Sequence, residues 1–410
     1  MDDGVSRRVR RRITAIAVAL GIATAVALVV LWPRHDVSSD LAELGFASDL
    51  HEAVVLGTTR GPCNGTEGGT VRVVCDQVRF RLNGGPDRGQ TRTIEFADAP
   101  NKPTFATGDE VILSHNDTAP AGFDYTYSDR QRRGVMWVLV AVFAIAVIAL
   151  GRWRGLGALV GLGASVFVIL QFVVPAMLEG TSPPVVAVVG ASAIAFLALY
   201  LANGVNTLTT VALLSTLAAL AITVVLATVF TELAQFTGAA SEDALLLKLG
   251  AADIDLRGLV LAGMVLGALG ALDDVTVTQA ATVGELRAAD PESSRRAVYR
   301  AGMRVGRDHV ASAVNTLALA YAGAALPILI LFSISGRSLG AVANGEVVAV
   351  EIVSALVGSI GLVAAVPIST GLAVVVTGGV GERRTRRRRV PADTPADDLL
   401  APRTDDTFWS

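Results

Sequence analysis

The stretch GLVLAGMVLGALGALDDVTVTQAATVGEL, residues 258–286, is an apolar run that contains two adjacent carboxylates. Its first part, residues 258–277, has the roughly 20 residues that an α-helix needs to cross a bilayer core of ~30 Å. A rise of about 1.5 Å per residue from Arg257 places Asp273 about 24 Å along that helix, near the inner quarter of the core. A carboxylate at that depth is costly unless protein or water surrounds it, so Asp273 and Asp274 are candidate functional residues.

Seven further apolar runs have a similar length, and the sequence therefore predicts an α-helical polytopic membrane protein with about eight transmembrane helices. The composition agrees, because 52% of the 410 residues are hydrophobic and 17% are charged. This is more apolar surface than one soluble core of that size would bury. The first run follows RRVRRR and is long enough to remain as an anchor, with a cleavable signal as the alternative. The runs are residues 13–32, 134–150, 155–174, 183–202, 207–230, 309–332 and 352–377.

Residues 35–133 differ from the runs on either side, because short alternating segments are separated there by Gly, Pro, Asn and Asp. The pattern predicts a small, barrel-like, β-rich domain. Cys63 and Cys75 both lie in it, and we expect a disulfide because the topology places them outside the cytoplasm; two unpaired thiols in a small core are the alternative. His35, His51 and His115 lack the spacing of a metal site. The predicted strands are residues 52–57, 71–82, 91–96 and 110–113.

Arginine is concentrated in four segments, and eight spans place all four on one side of the membrane. The positive-inside rule makes this side the cytoplasm of a bacterial plasma membrane, with both termini inside and the β domain outside. We expect the arginine-rich tail to be disordered and to attract anionic lipid headgroups, and we expect no nucleic-acid partner. The predicted domains are the basic N-terminus and anchor (1–34), the β-rich domain (35–133), a seven-helix bundle (134–380) and the tail (381–410).

Several polar residues lie at depths compatible with the two carboxylates. Asp274 and Thr278 share a helical face through their i,i+4 spacing. The next span runs outward from His309 and carries Asn315 about 9 Å further along. The hypothesis is an ion or substrate site in which neutral oxygens surround a cation. Its residues are Asp273, Asp274, Thr278, Asn315 and Thr316, with Ser369 and Thr370 of the last span at a similar level.

Two other interpretations of the carboxylates stay open. The acids could pair with amides or hydroxyls to set helix register, or the span could end earlier and leave Asp273 at the inner interface. Glycines spaced by four residues predict close helix contacts, at Gly157 with Gly161 and at Gly263 with Gly267.

The chain contains no Walker loop, no HExxH and no G-x-S-x-G, so we expect neither an enzyme nor a cofactor. The first functional hypothesis is a transporter or channel-like protein for a small cation or proton. The alternative is a membrane scaffold whose β domain binds an envelope partner. A membrane enzyme that uses the paired acids lacks an evident nucleophile or metal set.

Three segments, GALGALDDVTVTQAATVGEL, RDHVASAVNTLALAYAGAALP and EIVSALVGSIGLVAAVPISTG, resemble the YibE/F-like family of bacterial multi-pass membrane proteins. The plan of anchor, extracytoplasmic β domain and hydrophobic bundle is also similar, from about the β domain to Thr377. The resemblance implies an architecture, not a substrate, so the transport hypothesis rests on the intramembrane acids. The residues that match the family pattern are Asp273, Asp274, Thr278, Gln279, Glu285, Asn315, Thr316, Tyr321 and Pro327.

Overall fold

The computed structural model describes residues 2–34, 49–63, 74–100, 102–117, 119, 124–250 and 254–378. His35 and the predicted disordered tail lie outside these ranges. The described chain is mostly helical and carries one small antiparallel sheet. The helices are α1 (Asp2–Val30), α2 (Arg133–Val168), α3 (Val174–Leu178), α4 (Pro183–Asn203), α5 (Thr207–Leu233), α6 (Glu242–Gly250), α7 (Leu256–Ala289), α8 (Arg295–Ala324), α9 (Leu326–Ile334), α10 (Leu339–Ala343) and α11 (Glu346–Thr377).

Within the described ranges, six helical segments are long and apolar enough to cross a membrane. The count becomes seven if α8 and α9, which meet at a bend of 59°, form one broken span. One of the six, Arg133–Leu178, is 46 residues long and joins α2 to α3 through a π-helical turn at Ile169–Val173. The length and hydropathy of these helices show a membrane protein.

The α2 helix folds back on itself at Arg152. This residue has φ 51° and ψ −126°, which is not helical. A methyl group added at Gly155 would lie 2.3 Å from the carbonyl oxygen of Val147. Residues eight apart in a straight helix are separated by about 12 Å, so α2 consists of two arms with a reversal between them.

The centre of the bundle is formed by α5, α7 and α11, which contribute the fully buried side chains Leu213, Leu272 and Leu362. The second arm of α2 packs on α4, where Gly157 lies against the Leu201 carbonyl and Gly161 against Ala198. Close contact at these glycines was predicted and is confirmed, because a side chain there would meet backbone atoms of α4.

The other predicted glycine pair behaves differently. Gly267 contacts the hydroxyl group of Tyr321, whereas no described atom lies within 4 Å of a methyl group placed at Gly263. The prediction of a close contact at Gly263 is therefore wrong. The spacing marks small residues on one helix but does not say whether another helix lies opposite them.

The arginine-rich segments of the described chain share one end of the bundle. The Arg10 side chain donates a hydrogen bond to the Val376 carbonyl (3.3 Å), so α1 begins beside the end of α11. The α7–α8 junction is at this end too, because Gly302 contacts Thr370. The Arg152 reversal lies at this end as well: Gly157 contacts Leu201 in the last turn of α4, and α5, which begins just after α4, packs its Leu208 against Gly284 near the end of α7. The sheet leads into α2 at the opposite end.

The sheet has five antiparallel strands in the order β3-β2-β1-β4-β5. Side chains along the strands alternate between the core and the solvent, as in a half-buried strand. For example, Val78, Phe80 and Leu82 are buried, whereas Arg79 and Arg81 are exposed. The strands are β1 (Asp49–Pro62), β2 (Val74–Leu82), β3 (Thr91–Ala97), β4 (Glu110–His115) and β5 (Tyr125–Arg130).

The sheet curls into a half-barrel because its two edge strands approach each other. Phe96 of β3 and Tyr127 of β5 have ring centroids 5.8 Å apart, and Phe105 lies against both. The sequence predictions missed β5, whose YTYSDR sequence is too polar to stand out. Cys63 and Cys75 form a disulfide with Cα atoms 5.1 Å apart, which joins the end of β1 to the start of β2.

Candidate functional site

Asp273 lies on the face of α7 that packs against α5. The Thr216 hydroxyl of α5 lies beside the Asp273 carboxyl group and interacts with it. The Thr216 Oγ1 atom is also 2.7 Å from Thr276 Oγ1, and Thr276 donates a hydrogen bond to the Asp273 carbonyl oxygen (3.1 Å). Both threonine side chains are fully buried. A short row of hydroxyl groups therefore leads from the carboxyl group into the core.

The Asp273 carboxyl group has no cationic partner among the residues that the structure describes. Its Oδ1 atom is enclosed and accepts no hydrogen bond from them. A carboxylate deprived of water is stable only when a cation, a proton or several donors compensate it. The Thr276 hydroxyl donates its one hydrogen to the Asp273 backbone carbonyl, so the Thr216 hydroxyl alone can donate to the carboxyl group, and the site can take up a proton or a small cation.

A second polar group lies closer to the arginine-rich end of the bundle, at Gln279 of the same helix. The Gln279 side chain is 2% exposed. Its Nε2 atom donates hydrogen bonds to the Thr370 hydroxyl (2.7 Å) and to the Gly302 carbonyl (2.8 Å). A methyl group at Gly306 would lie 2.9 Å from the Gln279 amide oxygen, so α8 can approach only because it carries glycine there. Gln279 thereby ties α7 to α8 and α11.

The sequence hypothesis did not include Gln279 in the ion site, although Thr370 was expected at that depth. The signal that could have found it is the spacing of Gly302 and Gly306, which permits close approach of a neighbouring helix.

The remaining residues of the predicted site lie elsewhere. The Asp274 side chain is 73% exposed, and its Oδ2 atom is 3.8 Å from His309 Nε2, too far for a hydrogen bond. Thr278, Asn315 and Thr316 are exposed as well. The structure thus places the half-buried Asp273 against α5, whereas these four side chains lie on exposed faces of α7 and α8.

The physical reason why Asp273 and Asp274 have different surroundings is helical rotation. Successive residues of an α-helix are turned by about 100° around the axis, so Asp274 leaves the face on which Asp273 packs. Thr278 follows Asp274 onto the exposed face through the i,i+4 spacing that the sequence prediction used.

The β domain contains a group of side chains with metal-compatible distances. Candidate ligand atoms of Asp87, His115 and Asp124 lie within 4.8 Å of one another, although the histidine spacing did not predict a metal site. Arg92 already occupies the group, with contacts of 2.9 Å to Asp87 and 3.5 Å to Asp124. Burial and the nearby Asp87 carboxylate raise the pKa of Tyr125. We assign no metal there.

The sequence model of the YibE/F-like protein family matches residues 139–379, which is more than half of the chain. The chain belongs to the YibE/F-like family. No curated protein and no solved structure matches it. The family match begins after the β domain and extends through α11, so Asp273 and Gln279 lie in the YibE/F-like region of the protein and the sheet lies outside it.

Proposed function

We propose that this YibE/F-like protein moves a proton or a small cation through its helical bundle, with Asp273 as the group that binds it. The observation that supports the proposal is the enclosed Oδ1 atom of Asp273, which has no donor among the described residues. Acidic side chains inside membrane-spanning helices mark ion and proton pathways by default. A purely structural carboxyl group would be expected to have its hydrogen-bonding capacity filled by neighbouring helices.

The proposed topology has eight spans. A straight helix of 46 residues would be about 69 Å long, more than twice the hydrocarbon core, so the two arms of α2 are taken as separate spans. The bent pair α8 and α9 is taken as one. The positive-inside rule places the arginine-rich end, with both termini, in the cytoplasm of a bacterial plasma membrane. The Cys63–Cys75 disulfide supports a location of the sheet domain on the opposite, oxidising side of the membrane.

The proposed roles follow from position. Asp273 holds the cation or proton, and Thr216 and Thr276 supply neutral oxygens next to it. The exposed polar side chains nearby are Asp274 and Thr278 of α7 and Asn315 and Thr316 of α8, and we propose that they form one polar face. Because an exposed carboxylate at this depth requires water or protein around it, we propose that this face forms the approach from the cytoplasm.

The test uses two neighbouring carboxylates with different surroundings. Purified wild-type protein, Asp273→Asn and Asp274→Asn are reconstituted into liposomes loaded with a dye that is sensitive to protons, sodium or potassium, and the gradient of the matching ion is imposed. We expect wild-type flux above protein-free liposomes, a loss of most of it in Asp273→Asn and retention of most of it in Asp274→Asn. Thermal midpoints in detergent show whether each variant is folded.

Wild-type-like flux in a folded Asp273→Asn protein would remove the carboxyl group from the mechanism. If wild-type liposomes leak no more than protein-free liposomes under all three gradients, the bundle does not conduct these ions. The function would then be sought in the alternative, an anchor for a sheet domain that binds an envelope partner.

A further inference from the structure

A cavity of about 460 Å³ lies in the outer half of the bundle, between the broken helix α8–α9 and the first turns of α11. Its lining is alanine and branched aliphatic side chains, with two exceptions, Tyr321 and Glu351. Pockets for small organic molecules have volumes of roughly 300–1,000 Å³ and combine apolar walls with a few polar groups. The size and lining of this cavity fit that description.

The cavity exists because the chain bends away from α11. At Ala325 the helix axis turns by 59°, and Pro327 follows in the first turn of α9, where its missing N–H breaks no helical bond. The chain then returns through α10, whose residues Leu339 and Val342 close the other side of the space. The backbone therefore holds the walls apart.

Glu351 is half-buried and lies about one and a half turns into α11. At the start of this helix, the Glu346 carboxylate accepts hydrogen bonds from the backbone N–H groups of Thr237 and Gly238, both 2.7 Å. These bonds hold the first turn of α11 against the segment that follows α5. Glu351 follows by five residues, or about 7.5 Å of helix. No described residue pairs with its carboxyl group. The Glu346 carboxylate therefore has hydrogen-bond donors from the protein, whereas the Glu351 carboxyl group lines the largely apolar cavity.

We infer that this cavity binds an amphipathic organic cation, whose charged group pairs with Glu351 and whose apolar body fills the space. A half-buried carboxylate attracts a cation to compensate it, and apolar walls favour a cation that carries hydrocarbon over a hydrated metal ion. The Tyr321 ring can add a cation–π contact. A phospholipid headgroup is disfavoured, because its phosphate would be repelled by Glu351.

The route into the cavity is lateral. Leu339, Ile352 and Leu356 line it and are also exposed at the surface of the chain. An amphipath dissolved in the membrane can therefore reach Glu351 without crossing the bundle. The site is separate from Asp273: the Tyr321 hydroxyl packs on Gly267, which lies about 9 Å further outward on α7 than Asp273. Binding there does not depend on ion movement.

The experiment compares two probes of the same shape and opposite charge. Radiolabelled tetraphenylphosphonium and tetraphenylborate are titrated onto the full chain in nanodiscs, and binding to empty nanodiscs is subtracted. We expect saturable binding of the phosphonium and none of the borate. Glu351→Gln should weaken phosphonium binding at least tenfold, whereas Glu242→Gln, which removes one exposed carboxylate of α6, should bind it as the wild type does.

A second variant tests whether binding depends on the cavity itself and not only on the charge of the protein. Ile352→Trp keeps Glu351 but fills part of the cavity, and we expect it to reduce phosphonium binding as well; thermal midpoints report whether both variants are folded. Equal binding of the two probes, or unchanged phosphonium binding in Glu351→Gln, would overturn the inference. So would a co-purified phospholipid that occupies the cavity and excludes the probe. None of these results bears on flux through Asp273.

Discussion

Carboxylates of the sheet domain pair with cationic side chains, whereas the structure describes no such partner for Asp273 of the helical bundle. In the sheet domain, Lys102 contacts both Asp76 (2.5 Å) and Asp98 (2.8 Å), and Arg92 contacts Asp87 and Asp124. In the bundle, the Asp273 carboxyl group has the Thr216 hydroxyl beside it and no cationic partner among the described residues. Ion pairs in contact with water contribute little to stability and are easily replaced. An acid without a cation inside a membrane is costly, and the difference therefore points to the bundle as the region where function resides.

The two regions also differ in what holds them together. The sheet is held together by a disulfide between the ends of β1 and β2 and by aromatic rings at its two edges. The bundle relies on glycine contacts and on neutral hydrogen bonds such as those of Gln279. Each cohesive element can be removed separately, and the effect of its loss should stay within its own region.

The largest expected effect is loss of the disulfide. Replacing both cysteines, Cys63→Ser and Cys75→Ser, should destabilise the sheet domain by about 3 kcal/mol, because the unfolded chain regains the entropy of a loop of this length. Hydrogen exchange of the β1 and β2 amides in the full protein would report this as a loss of protection of roughly two orders of magnitude. The amides of α7 should exchange at their original rates, and equal loss in both regions would contradict the separation.

A smaller effect is expected in the bundle from Gln279→Leu. The substitution keeps the volume but leaves the Gly302 carbonyl and the Thr370 hydroxyl without their shared donor, at a cost of about 2 kcal/mol. Thr282→Val is the matched control, because the exposed Thr282 hydroxyl bonds only to the Thr278 carbonyl of its own helix. Thermal unfolding in detergent would show a lower midpoint for Gln279→Leu alone. Equal midpoints for the two variants would mean that the interhelical bonds contribute nothing.

The smallest effect concerns the exposed ion pairs of the sheet. The hydrogen bond from Lys102 and the charge of Arg60 lower the pKa of Asp98 below its ordinary 3.8. A carboxyl group with a lowered folded-state pKa stabilises the fold above its unfolded pKa, and this contribution disappears as the pH falls through the folded value. In Lys102→Met, the Asp98 pKa should rise toward 3.8, as followed by the NMR titration of its carboxyl carbon. An equal rise in the control Arg88→Met would show that the pairing is not specific.

Much of the sheet could be predicted, because alternation of apolar and polar residues is local. The described parts of the four predicted strands lie within β1 to β4, although β1 is more than twice as long as predicted. The fifth strand was missed because Tyr125 and Tyr127 are its apolar side chains, and both bury against rings contributed by distant segments. Its pairing with β4 can therefore be recognised only in the folded sheet.

The site could be predicted only in part. Depth along α7 follows from counting residues at a fixed rise, and this count places Asp273 and Asp274 at almost the same level. Their difference depends on which side of α7 the other helices occupy. Gln279 illustrates the same limit, because its partners Gly302 and Thr370 are 23 and 91 residues away in the chain.

The sequence by itself determined that this protein is a membrane protein with apolar helices, a β-rich insertion and acids in an apolar run, because hydropathy and its period are properties of neighbouring residues. The tertiary structure decided which acid is enclosed, that α2 reverses at Arg152 and that a cavity opens beside Glu351. These features arise from contacts between residues far apart in the chain, such as Thr216 with Thr276, 60 residues apart. Local pattern does not encode such contacts, since many helix arrangements would bury the same apolar faces.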